Sequence, residues 1–259
     1  MNTNLDMLES FWWFVNEREN VRLNREDGLP RDQWTDDPIL RQYHFCNIRR
    51  EDDRGTKEIR KVVHDVGYAV ADLPAVYTMA RLLNSAKSLA IYADQGMDGL
   101  HHARNRGESV FNVAYVVSTC GKPMDKLEYV EDLVATVRKM AVPDSSCAAA
   151  FKRLREVDGL GSFLAGQIVA DLKNDRYLTG APDFDTFSVM GPGSKKGLDM
   201  IFGPGTTERT YRERIAVLDG LVSGKIPKVH RQDLQNCLCE FSKYIRYRDN
   251  LPGRRRLYK

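Results

Sequence analysis

The chain has 259 residues, with 39 Lys plus Arg against 36 Asp plus Glu and a formal net charge of +3. That length suits one large or two small domains with a real core, and so mild a charge does not by itself announce a nucleic-acid binder. No apolar run approaches the ~20 residues that span a bilayer, and the acids in MNTNLDMLESFWWFV are not those of a secretory signal, so neither a membrane partner nor export is expected.

In chain order, apolar residues recur at helical spacing over 5–15, 59–66, 76–91, 109–117, 127–140, 148–157, 163–172, 211–221 and 234–245. In the first, Phe11, Trp12, Trp13 and Phe14 read as core, because a helix turns at least two of them onto its neighbours. Asp37-Pro38 opens a helix with a cap and a first-turn proline, and Asp144-Ser145-Ser146 opens another. No run alternates with a period of two between hairpin turns, so a sheet is not expected. The reading is an all-α fold, as one helical domain over 1–259 or two closely fused lobes. Five cysteines without framework spacing suit reduced thiols in a cytoplasm. Cys237 and Cys239 point to different helix faces and His101-His102 sits in a glycine-bounded loop, so neither a metal nor a cofactor is expected.

The stretch FKRLREVDGLGSFLAGQIVADLKN, 151–174, carries the first functional signal. Leu154 and Val157 close one helix, Asp158-Gly159-Leu160-Gly161 turns tightly, and Ser162 begins a second. Two glycines around an apolar residue permit a turn with outward N–H groups, where a Cβ would crowd an approaching phosphate. The second helix adds its free amides and positive dipole end. Gly159, Gly161 and Ser162 are therefore expected on a DNA backbone; the alternative is a plain helical hairpin with a glycine cap. The pattern resembles the helix-hairpin-helix DNA glycosylases, in which a catalytic Asp follows the second helix. Asp183 and Asp185 stand 22 and 24 positions after Gly161, and FDTF is similar to the V-D-T segment of that superfamily. Phe163 or Leu164 occupies the position where some glycosylases carry a nucleophilic Lys, and the four-cysteine cluster loop is missing.

Those acids open PDFDTFSVMGPGSKKGLDMIFGPG, 182–205. In an extended segment Asp183 and Asp185 point the same way, which raises one pKa and suits a proton acceptor; alternatively either one caps the following turn. Gly191 and Gly193 can expose amides, Ser194 can cap a helix starting at Lys195, and Lys195 and Lys196 add charge at its N-terminus. That combination fits a phosphate or pyrophosphate. It is not a Walker A loop, and no G-x-x-x-x-G-K-[ST] spacing occurs in the sequence. At the C-terminal end Lys243, Arg246, Arg248, Arg254, Arg255, Arg256 and Lys259 stand against the single acid Asp249, a basic tail over 243–259 that favours a polyanionic partner.

GPGSKKGL after a D-x-x-T-F segment, WTDDPILRQYHFCNIRREDDR and CEFSKYIRY together resemble the phage thymine-hypermodification proteins. These are the α-glutamyl/putrescinyl thymine pyrophosphorylases, or amino acid:DNA transferases, related to the helical domain of 5-hydroxymethyluracil DNA kinases. The resemblance implies a glycosylase-like helical fold that displaces pyrophosphate from 5-(pyrophosphoryloxymethyl)uracil in DNA and attaches an amino acid or polyamine. It also implies a functional link to a 5-hydroxymethyluracil DNA kinase, in a host cytoplasm. On that footing Asp183 or Asp185 accepts the amine's proton. Gly191, Gly193, Ser194, Lys195, Lys196, Arg49 and Arg50 hold the pyrophosphate, and Arg246, Arg254 and Arg255 join the hairpin on the backbone. Tyr43, Asn47, Asp53, Glu240, Lys243 and Tyr244 recognise base or amine. Without the likeness, Arg49 and Asp53 read as an i,i+4 ion pair on a helix, and Glu240, Lys243 and Tyr244 as one solvated face. A DNA glycosylase and a non-catalytic helix-hairpin-helix DNA-binding protein are the competing readings.

Overall fold

The computed structural model describes residues 3–112, 117–253 and 255–258. Among them the fold is all-α, with eleven α-helices and no strands. In chain order they are α1 (Leu5–Glu26), α2 (Pro38–Gln42), α3 (Arg54–Val66), α4 (Leu73–Leu83), α5 (Ala86–Asn105) and α6 (Lys126–Lys139). There follow α7 (Cys147–Leu154), α8 (Ser162–Lys173), α9 (Pro192–Phe202), α10 (Glu208–Val222) and α11 (Arg231–Arg248). They fall into two compact units, Met1–Asp53 with Asp185–Lys259, and Arg54–Phe184. No helix among the described residues is long and apolar enough to cross a membrane.

In the first unit Phe11 and Phe14 of α1 are buried, while Trp13 is 43% exposed. Phe11 meets Phe241 edge-on at 5.3 Å, and Phe14 packs among Phe45, Phe241 and Tyr244. Such offset and edge contacts add to the burial of large apolar surface. Helix α9 packs on α11 through two glycines one turn apart. A Cβ on Gly193 would lie 2.3 Å from Cys239 Sγ and 3.1 Å from its Cα; one on Gly197 would lie 2.7 Å from the Leu238 carbonyl oxygen. The absence of both side chains is what lets the two backbones approach.

In the second unit every residue of α4 is buried, and α5, α6 and α8 pack around it. A helix apolar on all sides belongs in an interior. Its one charge, Arg81, forms a bidentate pair with the buried Asp171, with Nη2 to Oδ1 at 2.6 Å. Burial of either charge alone would cost several kcal/mol.

Four expectations are corrected. The helix over 76–91 is two, because Asn84 takes the left-handed conformation (φ 46°) and Ser85 caps α5 by accepting from the Ser88 amide. His101 and His102 lie in the helical stretch of α5 that follows a kink at Gly96 (φ 63°), rather than in a loop. Residues 109–112 and 117 are not helical, and 113–116 lie outside the described residues. Helix α9 starts at Pro192, not Lys195: a proline needs no amide partner at a first position, and the Ser194 hydroxyl accepts from the Gly191 amide at 3.0 Å.

Candidate functional site

One face of α11 carries Asp233, Asn236, Glu240 and Lys243 at three- and four-residue spacing, with His230 at its N-cap. A non-helical strap, 44–49, runs into a 3-10 turn at Arg50–Asp52 and is held by that face. Lys243 Nζ donates to the His44 carbonyl at 2.8 Å and to Glu240 Oε2 at 3.0 Å. The same Glu240 oxygen accepts from the Cys46 amide at 2.9 Å. Asn236 donates to the Asn47 carbonyl at 3.1 Å, and Asp233 accepts from the Arg50 amide at 3.0 Å. The His44 amide pairs with the Arg256 carbonyl at 2.8 Å beside a Tyr43–Leu257 bridge, and beyond it these side chains satisfy backbone groups of the strap.

Helix α1 contributes Arg18, which is 2% exposed. Its Nε donates to the Cys46 carbonyl at 3.1 Å, and its Nη2 to the Phe45 carbonyl at 3.0 Å and to Asn47 Oδ1 at 2.6 Å. Its Nη1 is buried without a hydrogen-bond partner. Asn47 is further fixed by Nδ2 to the Asp52 carbonyl, and its amide donates to Asp53 Oδ1 at 3.0 Å. Burial pushes the Asp53 carboxyl up to about 6; the Asn47 amide and the charges of Arg18 and Arg50 oppose the rise. Burial, with the charges of Arg256 and Lys243, pulls His44 down to about 4, and burial raises the Cys46 thiol. These surroundings disfavour charge on His44, Cys46 and Asp53.

At the N-terminal end of α11, Asp185 Oδ1 accepts from His230 Nδ1 at 2.6 Å, and the Asp185 carbonyl accepts from the Arg231 amide at 3.0 Å. Asp233 Oδ2 lies 3.5 Å from the His230 amide while its other oxygen holds Arg50. Arg49 donates to the Lys228 carbonyl at 3.2 Å and to Glu19 at 2.8 Å. The alternative reading of an Arg49–Asp53 ion pair gives way to these contacts and to Asp52 at 3.6 Å, because 50–52 forms a 3-10 turn instead of an α-helix. The structure therefore brings Asn47, Arg49, Arg50, Asp53, Asp185, Glu240 and Lys243 onto one helix and its strap.

Other predicted residues lie elsewhere. Tyr244 is 6% exposed in the aromatic core and donates to Asp37 at 2.8 Å, so it does not share the contacts of Glu240. Tyr43 stacks edge-on to Tyr247 at 4.9 Å, and the Arg255 guanidinium lies over both rings. Arg246 lies over Tyr247, and Arg254 is outside the described residues. Residues 182–186 form turns, not an extended segment, and the two aspartates fall in different units. Asp183 accepts from the Cys147 and Ala148 amides at 2.8 and 2.9 Å, capping α7 instead of the turn that follows it.

In the Gly191–Lys196 run, Ser194 is fully buried and bonded to Gly191. Lys195 Nζ donates to Asp199 at 2.5 Å, and Lys196 is exposed. Gly193 faces Cys239, a packing reason for a glycine that the sequence reading assigned to an anion. Helices α7 and α8 pack on each other, and Leu160 in the turn that joins them is buried. At Gly159 (φ 97°) a Cβ would meet Tyr129 Oη at 2.1 Å, so its glycine has an internal cause, whereas Gly161 faces open space and Ser162 starts α8.

Sequence reasoning missed Arg18 and His230. Arg18 had a signal: it falls on the apolar stripe of Phe11, Phe14, Val15 and Val21, where a charge needs a reason. His230, alone before a helix, had none.

A family model described as "5-hmdU DNA kinase, helical domain" matches residues 5–251. The chain is 22% identical over 297 aligned positions to a "5-hmdU DNA kinase" of Bacillus phage SP10. That match covers 92% of this chain and 45% of the relative, so the chain spans less than half the relative's length. No solved structure matches.

Proposed function

This chain belongs to the family of 5-hmdU DNA kinase helical domains, and from that premise we propose that it is a transferase of thymine hypermodification. Its substrate is DNA bearing 5-(pyrophosphoryloxymethyl)uracil, and the amine of an amino acid or polyamine displaces the pyrophosphate. A kinase of the same modification would supply the phosphorylated base. The observation that carries the reading is the convergence of Arg49, Arg50, Asp185 and the Asn47–Asp53 strap on one helix, α11.

The reaction asks for three things. A multiply charged leaving group must be stabilised as the C–O bond lengthens; Arg49, Arg50, Lys195 and Lys196 supply the cations, whereas the Gly191 amide and the buried Ser194 hydroxyl already bond each other and Gly193 packs on Cys239. The ammonium must lose a proton, and Asp185 suits this better than Asp183, whose oxygens already accept two amides. The base must be everted and held, a role for Tyr43, Asn47, Asp53, Glu240 and Lys243, while Tyr244 stays in the aromatic core. Gly161, Ser162, Gly159, Arg246, Arg254 and Arg255 would track the backbone.

A second reading has its own support. The family is described by a kinase's helical domain, and this sequence contains no P-loop spacing; a helical module presenting hydroxymethyluracil DNA to a kinase fits both facts. One experiment separates the readings. DNA carrying the pyrophosphorylated base is incubated with a panel of amines, pyrophosphate is assayed, and the digested nucleosides are weighed. Transfer releases pyrophosphate and adds the mass of one amine, a glycosylase releases free base, and a presenting module leaves the DNA unchanged. Replacing Lys195 and Lys196 by Ala should lower turnover at least about tenfold, about 1.4 kcal/mol, and leave affinity for unmodified DNA nearly intact. A parallel loss in both would assign these lysines to backbone gripping.

A further inference from the structure

We propose that Arg18 is the positioning residue that makes Asn47 selective for a uracil edge over a cytosine edge; this rests on the transferase reading, in which Asn47 helps to hold the everted base. A side-chain amide has two ends of nearly equal shape, one accepting and one donating, and a half-turn about its last bond exchanges them. Asn47 lies in the strap and is half-buried. Its Oδ1 accepts from Arg18 Nη2 at 2.6 Å, and its Nδ2 donates to the Asp52 carbonyl at 2.9 Å. A guanidinium can only donate and a peptide carbonyl can only accept. The reversed amide would set donor against donor at one end and acceptor against acceptor at the other. Only the observed orientation satisfies both partners.

Each end of the amide keeps capacity for a ligand, because Oδ1 has a second lone pair and Nδ2 a second proton. Uracil presents a carbonyl at C4 beside an N3–H donor, whereas cytosine presents an amino donor at C4 beside an N3 acceptor. An amide that meets this edge with Nδ2 at C4 and Oδ1 at N3 bonds uracil twice and cytosine not at all. The same amide, free to turn, accepts either base.

Arg18 is too buried to touch a base itself. It stands on the apolar stripe of α1 with Phe11, Phe14, Val15 and Val21, and it is 2% exposed. Its Nε and Nη2 hold the Cys46 and Phe45 carbonyls at 3.1 and 3.0 Å, which ties the guanidinium to the strap. The Asn47 backbone is anchored as well, its amide on Asp53 at 3.0 Å and its carbonyl on Asn236 at 3.1 Å. The two carbonyl bonds of Arg18 are enough to hold the strap. Its third bond, to Oδ1, is the one that sets the direction of the amide, and a desolvated, charge-assisted bond of this kind is among the stronger ones.

The test uses the full chain and duplexes carrying one 5-(pyrophosphoryloxymethyl)uracil or one 5-(pyrophosphoryloxymethyl)cytosine, with glycine and putrescine as amines. Pyrophosphate release gives kcat/KM for each base, and the ratio of the two is the readout. The unaltered chain should prefer uracil at least about 100-fold; a ratio near one overturns the inference at once. Arg18→Gln puts an amide that can donate or accept beside Asn47, so reversal costs one bond instead of two. Its ratio should fall at least about tenfold, and Arg18→Lys, which can only donate, should keep most of the preference. Asn47→Ala should lose the preference too, and adding Arg18→Gln to it should lower the ratio no further. A purely structural role would slow both bases together; a folded Arg18→Gln with an unchanged ratio overturns the inference and leaves the transferase standing. If Arg18→Gln does not fold, the ratio must be lost in Asn47→Ala and kept in Arg18→Lys, and failure of either overturns the inference. No pyrophosphate release from the uracil duplex by the unaltered chain with either amine overturns the transferase reading and this inference with it.

Discussion

Asp53 accepts the Asn47 amide in a place that strips its solvent, and its carboxyl rises from 3.8 to about 6. Because the folded value lies above the unfolded one, the ionised form is what folding disfavours. The contribution to stability is therefore best below about pH 4, falls as pH rises from 4 to 6, and is flat above. At ~1.4 kcal/mol per unit the fall is on the order of 3 kcal/mol. Asp53→Asn keeps an acceptor for Asn47 without the charge, so urea denaturation should show it more stable at pH 8 and lacking the decline between 4 and 6. Curves that run parallel to wild type across that window would show that Asp53 is not desolvated.

The α7–α8 hairpin shows how one element can separate stability from binding. Gly161 is the N-cap of α8, with φ −65°, and a Cβ there meets nothing within 4 Å. Nothing in the fold requires glycine at this position, whereas Gly159 is required twice over, by its positive φ and by Tyr129. An acidic cap accepts the first amides of a helix and favours its dipole. Gly161→Asp should thus leave the melting midpoint unchanged or slightly raised, while weakening binding to plain duplex DNA about tenfold at low salt by repelling a phosphate. Gly161→Ser, capped but uncharged, should bind nearly as the parent does. If both variants bind DNA like the parent, the hairpin is a structural turn. Elsewhere helix positions were legible because buried faces repeat every three or four residues; the break at Asn84 was not, because apolar spacing runs on through 76–91 while the backbone reverses hand at one residue. The start of α9 was likewise placed at Lys195 when Pro192 opens the helix.

For the whole molecule, the Arg54–Phe184 unit is continuous in sequence and holds its own core around α4 with the Arg81–Asp171 pair inside it. Produced alone, it should be helical by circular dichroism and melt in one cooperative transition; a broad, uncooperative melt would show that its core depends on the rest of the chain. The hairpin belongs to this unit and the proposed chemistry to the other, so each can be altered and assayed by its own readout.

Helical periodicity, the hairpin glycines and the motifs around Asn47, Asp185 and Glu240 were all present in the residues themselves, because burial patterns, backbone permissiveness and local spacing are properties of short stretches. Which partners those residues would meet was decided only in three dimensions. Arg18 reaches Asn47 across 29 positions, and His230 reaches Asp185 across 45. Asp183, two places from Asp185 in the chain, turns to a different helix in the other unit. Hydrogen bonds act over about 3 Å whatever the separation along the chain, so only packing of the helices determines which distant side chains fall within that reach.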